Sequence, residues 1–318
     1  MNPWQKANLT GGILSWVVFL FLSVAAFSIV TQIHVLILAS ILIFAPIVLA
    51  LLNRQNHSEQ IPIGLRIVER TQLAAGLLIM LSFWIGQSVP AALLTVPWLA
   101  VTGLIALYGL GRLLARGTSP IEETVLDIGL MHLPVGGVWL LLDRAGIQPL
   151  SFDSLGALFL GAMQGRLLRT HRPQMIDMYR AAAIAVMVGP SLVAAGIVFS
   201  LAVEVFAATV LAGGLLLSAA LTLRYIVPRL QSTLTMTLLA VSAICLFLTM
   251  SLAVAYPLGR LTGWWSLSIP QMVFLHAWGN TIGFALTGLV AMLLLEPPSH
   301  APKPDMSLTK LIGQKRRA

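Results

Sequence analysis

Charge is what this sequence has least of. Asp, Glu, Lys and Arg make up 9% of its 318 residues, where a soluble globular domain carries about 25%. So little polar material cannot cover a water-facing surface, which excludes a cytosolic enzyme, a secreted scaffold and a disordered chain. Cysteine is nearly absent as well. Cys245 stands alone, so no intramolecular disulfide can form, and within an apolar run it acts as a small hydrophobe. The chain also lacks a P-loop, a dinucleotide fingerprint, a nucleophile elbow and the HExxH and CxxC patterns. Gly109-Leu110-Gly111 and Gly213-Gly214 fall inside apolar runs, where glycine serves packing. No catalytic residue, metal site or cofactor is therefore assigned.

What fills the chain instead is apolar. Hydrophobic residues reach 58% and the mean hydropathy is +0.92. A spanning helix needs about 20 mostly apolar residues, because the hydrocarbon core is roughly 30 Å thick and each residue rises about 1.5 Å. Ten segments meet or approach that length: 11–30, 34–52, 71–89, 91–114, 124–142, 154–168, 181–199, 205–227, 233–255 and 270–295. The sixth is the weakest, being short and interrupted by Gln164 and Arg166. The fold class is all-α, a polytopic membrane bundle in one domain over residues 1–296. A basic, proline-containing tail follows over 297–318.

The basic residues test this map. The net charge of +8 resembles a nucleic-acid signal, but the Lys and Arg lie in short loops and the tail, so no nucleic-acid partner is expected. With the amino terminus inside, 17 of the 19 basic residues fall on the inner side, leaving Arg144 and Arg260 outside. That asymmetry is the positive-inside bias, and it places both termini in the cytoplasm of a bacterium with anionic headgroups at the inner face. Removing the weak sixth span would destroy it. Lys6 followed by an apolar run and Val24-Ala25-Ala26 also fits a cleavable signal peptide, which would leave nine spans. The loop 53–70 turns amphipathic at Ile61 and is expected to lie along the inner surface as a short helix. Ten spans divide as five plus five, the arrangement of inverted repeats. His132 with Gly136 and Gly137 in the fifth span, and His276 with Gly279 and Gly283 in the tenth, hint at such a repeat.

Ionisable groups at membrane depth cost about 2.5–3.5 kcal/mol each on insertion scales, so each invites a role. In the tenth span His276, Asn280, Gly283 and Thr287 share one face. They form either the wall of a polar cavity or a small-residue packing seam, with Gly279 beside them for close approach. In the fifth span Glu123 and Asp127 lie one turn apart. Two such carboxylates would repel and favour a proton-binding site, unless Arg112 or Arg116 pairs with Asp127. Pro134 and Gly136 are expected to kink or break that helix beside His132, as in transporter substrate sites. Glu204, in an outer turn, is either interfacial or at a cavity mouth. The cluster Arg166, Arg169, His171, Arg172 and Arg180 suits phosphate or carboxylate, although orientation bias alone explains it. Trp264 and Trp265 read as an aromatic belt.

Several stretches resemble the YndJ-like family of bacterial membrane proteins: Phe44-Ala45-Pro46, Pro97-Trp98 through Arg116, Leu126-Asp127, Leu133-Pro134-Val135-Gly136 with Trp139, and His276 through Phe284. The family's tenth-helix pattern is His-Gly-x-x-Asn-x-x-Gly-Phe, and Ala277 stands here for its first glycine. Its sixth span carries a histidine-rich segment where this chain has Ala162-Met163-Gln164-Gly165-Arg166, so any metal or proton chemistry of those histidines is missing. The resemblance implies a multi-pass protein of transporter type with no defined substrate.

The reading is a transporter of a small solute or lipid, with Asp127, His132, His276, Asn280 and Glu204 along its pathway. The alternatives are a membrane-embedded enzyme acting on an isoprenoid or acyl lipid through His276, and an assembly subunit with no site of its own.

Overall fold

A computed structural model of the chain describes residues 1–55, 61–147, 155–265 and 267–295. The tail over 297–318 and part of the polar loop, 56–60, lie outside the described residues. Among the described residues there is no strand, and ten helices follow one another. Nine are long and apolar enough to cross a membrane: Pro3–Ser23, Ile29–Arg54, Ile63–Ile85, Val89–Arg116, Ile121–Arg144, Pro173–Phe199, Leu201–Arg229, Thr233–Thr262 and Ile269–Leu294. The remaining one, Leu155–His171, is sixth in order and has 17 residues.

Caps set the helix ends more than hydropathy does. Asn2 accepts from the Gln5 backbone N–H while the Gln5 side chain accepts from Asn2 N–H, a reciprocal capping box that starts the first helix well ahead of its apolar run. Ser28 accepts from Thr31 N–H and restarts the chain after residues 24–27. Ser232 and Ser268 do the same for the ninth and tenth helices. The third helix corrects the expectation of a surface segment at Ile61. It runs unbroken from Ile63 to Ile85, with Glu69 in its second turn held by side chains of the first two helices.

Consecutive helices pack as neighbours, and the tenth closes back against the second. The sixth helix, weakest by hydropathy, touches the fifth, seventh, eighth and tenth. It is internal, so its polar side chains face protein. Gln164 is buried and bonded to the Ser218 hydroxyl, and Arg166 is paired with Glu123. Side-chain bonds also sort the helix ends into two sets. At one end Asn2, Gln5 and Asn53 converge on Glu69, and Arg54 donates to Leu293 O. At the other, Gln87 reaches Asp143 and Arg260 reaches Glu204. Neighbours in sequence therefore alternate in direction, and the first set is the basic end.

An ionic clamp closes the basic end of three helices. The fourth helix contributes Arg112 and Arg116 one turn apart. The fifth contributes Glu122, Glu123 and Asp127, and the sixth Arg166 and Arg169. Asp127 is 0% exposed, with Arg112 Nε at 2.7 Å from one oxygen and Arg116 at 2.5 Å from the other. Arg112 also reaches Glu123 at 2.6 Å, Glu123 reaches Arg166 at 2.5 Å, and Glu122 pairs with Arg169. The carboxylate repulsion expected between Glu123 and Asp127 is thus offset by a guanidinium that bridges them.

Removing one partner of a buried pair leaves the other uncompensated, at about 3–5 kcal/mol. Asp127→Ala is expected to destabilise by about 3 kcal/mol, the low end of that range because the arginines keep some water contact. Asp177→Ala, which cuts the exposed Asp177–Arg180 pair, is expected to change stability by less than about 0.5 kcal/mol. Melting of the two purified variants in the same detergent checks the contrast; equal losses would show that the clamp contributes no more than a surface pair.

Candidate functional site

The tenth helix is wound more widely than its neighbours. Met272–Ala277 and Gly279–Leu286 are π-helical, a winding that recurs at functional sites. On this stretch His276 Nδ1 lies 2.8 Å from Thr249 O of the ninth helix. A carbonyl only accepts, so Nδ1 carries the hydrogen and donates it. Asn280 Nδ2 lies 3.1 Å from His276 Nε2, and the carboxamide donates to that nitrogen's lone pair. The two bonds fix a neutral imidazole in one tautomer and orientation. Asn280 Oδ1 is buried with no hydrogen-bond partner among the described residues.

The same face is a tight packing seam. A Cβ on Gly279 would lie 2.7 Å from Thr249 Cγ2, and one on Gly283 would lie 2.5 Å from Cys245 Sγ. Only glycine lets the ninth and tenth backbones approach this closely. Ser242 Oγ donates to Phe284 O at 2.8 Å across the seam, and Trp278 Nε1 donates to Gln32 of the second helix. Both readings of the stripe therefore meet in one place: the histidine and asparagine sit inside the seam.

The other candidate residues are spread through the bundle. Asp127 lies near the start of the fifth helix at the basic end, while His276 lies near the start of the tenth, which begins at the opposite end. The structure therefore does not bring them together. His132 is about 1.5 turns further along the fifth helix from Asp127 and on a different face. Its Nδ1 lies 2.8 Å from Ile128 O of its own helix. Glu204 sits in the first turn of the eighth helix at the opposite end, 3.3 Å from Arg260. Of the kink or break expected at Pro134 and Gly136, the break is absent: Ile121–Arg144 is one continuous helix with Pro134 inside it. Proline removes one backbone bond, and packing by neighbouring helices carries the helix across it. Gly136 faces open space, and Gly137 is the glycine packed, against Thr102 and Leu99. The two histidine–glycine stretches thus differ in winding and in partner.

Two buried charges escaped the sequence reading. Glu69 is 3% exposed and accepts from the carboxamides of Asn2, Gln5 and Asn53, with no cation paired to it among the described residues. Asn8 donates to its backbone carbonyl. The signal was the spacing of Asn and Gln in the first helix, which puts polar groups on one face. Arg144 is buried at the opposite end, bonded to Ser82 O at 3.1 Å and set over the Phe83 ring. On the ring's other contact, His34 stacks at 3.9 Å between centroids.

Overpacking a filled seam costs about 1–3 kcal/mol. Gly283→Ala is expected to destabilise by that amount, and adding Cys245→Ala is expected to recover part of it by removing the sulfur the new methyl meets. A double-mutant cycle on melting measures the coupling; strict additivity would mean the two helices do not meet there.

The model of the YndJ-like protein family matches residues 35–284. A protein named uncharacterized membrane protein YndJ, from Bacillus subtilis (strain 168), is 24% identical over 233 residues, covering 69% of this chain and 41% of that protein. The chain thus spans about two fifths of that relative's length. No solved structure matches. The matched region runs from the second helix through the π-helical stretch of the tenth and takes in the clamp, the seam and the His276–Asn280 pair, and this chain belongs to the YndJ-like family of membrane proteins.

Proposed function

We propose that this protein is a proton-coupled transporter of a small solute or lipid in the bacterial cytoplasmic membrane, with its basic end toward the cytoplasm. The observation that carries this reading is the His276–Asn280 pair. Protonation would turn Nε2 from acceptor into donor. Rotating the Asn280 carboxamide by half a turn would then present Oδ1, which has no other partner among the described residues, to the new N–H. Thr249 O remains the acceptor for Nδ1 throughout. The pair can therefore take up and release a proton without leaving the seam, on a helix whose wide winding eases a change of register.

The clamp plays the complementary part. Asp127, Arg112 and Arg116 hold the fourth and fifth helices together at the cytoplasmic end. Between the helices, a cavity of about 10 Å³ beside Gln164, Tyr179 and Ser218 has room for about one water molecule. Packing this tight suits a closed state in such a cycle, and opening toward the cytoplasm would part Asp127 from its arginines. His132 and Glu204 then mark the middle and the outer mouth of the path.

The test is flux into proteoliposomes carrying an internal pH dye, challenged with a panel of small solutes under an imposed pH gradient. At least one solute is expected to move protons with it. His276→Ala is expected to lower that flux at least tenfold and Asn280→Ala less, while His276→Gln keeps the fold and loses the pH dependence. Unchanged flux in His276→Ala would sink the assignment. An accumulating lipid precursor in a deletion strain would favour an enzyme instead.

A further inference from the structure

We infer that the basic end carries a binding site for a phosphate-bearing anion, formed by Arg172, Arg224 and Arg229. Its basis is independent of the transport reading. These three arginines line one cavity of about 410 Å³, between the turn that joins the sixth and seventh helices and the end of the eighth. Both edges of the cavity are built from irregular turns: Pro173–Met175 and Val227–Arg229 are 3-10, and Thr222–Ile226 is π-helical.

Charge balance sets this cavity apart from the paired arginines of the fourth to seventh helices at the same end. Arg112, Arg116, Arg166, Arg169 and Arg180 each pair with a carboxylate. None of the three cavity arginines does so among the described residues, and no acidic side chain lines the cavity. Arg172 Nε is buried without a hydrogen-bond partner. Arg229 donates to Tyr225 O, which holds that guanidinium at the rim, and Arg224 lies 5.6 Å from the Tyr225 ring centre. Three guanidinium groups around one cavity repel one another, and a multivalent anion relieves that repulsion. Guanidinium forks match phosphate oxygens in pairs. Met175 and Pro228 add an apolar floor beside the charges, which suits the glycerol and first methylenes of an anionic phospholipid. Basic pockets between helices on the cytoplasmic side bind such headgroups. The shared chemistry is the phosphate group, presented by a lipid or free in solution.

The experiment uses the full chain, purified in a neutral detergent and stripped of lipid. Phosphatidylglycerol is added in one arm and inorganic phosphate in the other, with native mass spectrometry and melting as readouts. Retained phosphatidylglycerol and a raised melting temperature are expected, and Arg172→Gln with Arg224→Gln is expected to weaken binding at least tenfold. Arg224 is exposed and its side chain lies against Tyr225 of its own helix, so Arg224→Gln alone is expected to fold and to weaken binding severalfold. Arg180→Gln, at a paired surface arginine, should leave binding unchanged. Binding of phosphatidylglycerol but not phosphate assigns the source to a lipid headgroup; competition between the two assigns it to phosphate as such. Neither ligand binding to the parent protein, or equal binding to the parent, Arg224→Gln and Arg180→Gln, would overturn the site.

Discussion

A polar group at the depth of the hydrocarbon has no water to turn to, and everything distinctive in this bundle follows from that constraint. The backbone meets it by being helical across each span. The side chains meet it by finding one another across helices. Asp127 is held by two arginines, Glu69 by three carboxamides, Gln164 by a serine and His276 by a carbonyl and an amide. Each of these contacts joins one helix to another, apart from His276–Asn280. Satisfying polar groups and fixing the architecture are one and the same event here.

That event explains why the least hydrophobic span lies among four others. The sixth helix is short and carries Gln164 and Arg166, which lipid would not accept, so it gains by contacting the fifth, seventh, eighth and tenth. Its Arg166 and Arg169 then complete the clamp on Glu122 and Glu123. In exchange, lipid-facing surface falls to helices that tolerate it, which expose residues such as Phe199, Leu114 and Phe21. The ninth and tenth helices solve the problem differently. Glycines bring the backbones together, and polar side chains use the resulting contact, since the hydrophobic effect supplies no attraction between helices in lipid.

The succession of apolar helices and the gathering of basic residues at alternate helix ends were legible in the residues. Each depends on composition along a single helix. The pairing of Asp127 with Arg112 and Arg116 was visible as one of two alternatives, because all three lie close to one short connection. The start of the third helix was not legible. Hydropathy discounts Glu69 as a loop residue, and the amides of Asn2, Gln5 and Asn53 make it tolerable inside. Arg144 was hidden for the same reason: a cation near a helix end looks solvated until Ser82 O and Phe83 are placed against it. At Pro134 the fifth helix runs on without a break, although Val135 and Gly136 beside it are exposed.

The amino-acid sequence by itself determined that this chain is a membrane protein built of many apolar helices, and which helix ends gather the positive charge. Those properties are sums over residues and need no partner. Only the tertiary structure decided which charges are neutralised, which histidine reaches another helix, and which three arginines remain to share a cavity. Such matters turn on distances of a few ångströms between segments far apart in the chain, and electrostatic and hydrogen-bonding energies are steep functions of those distances.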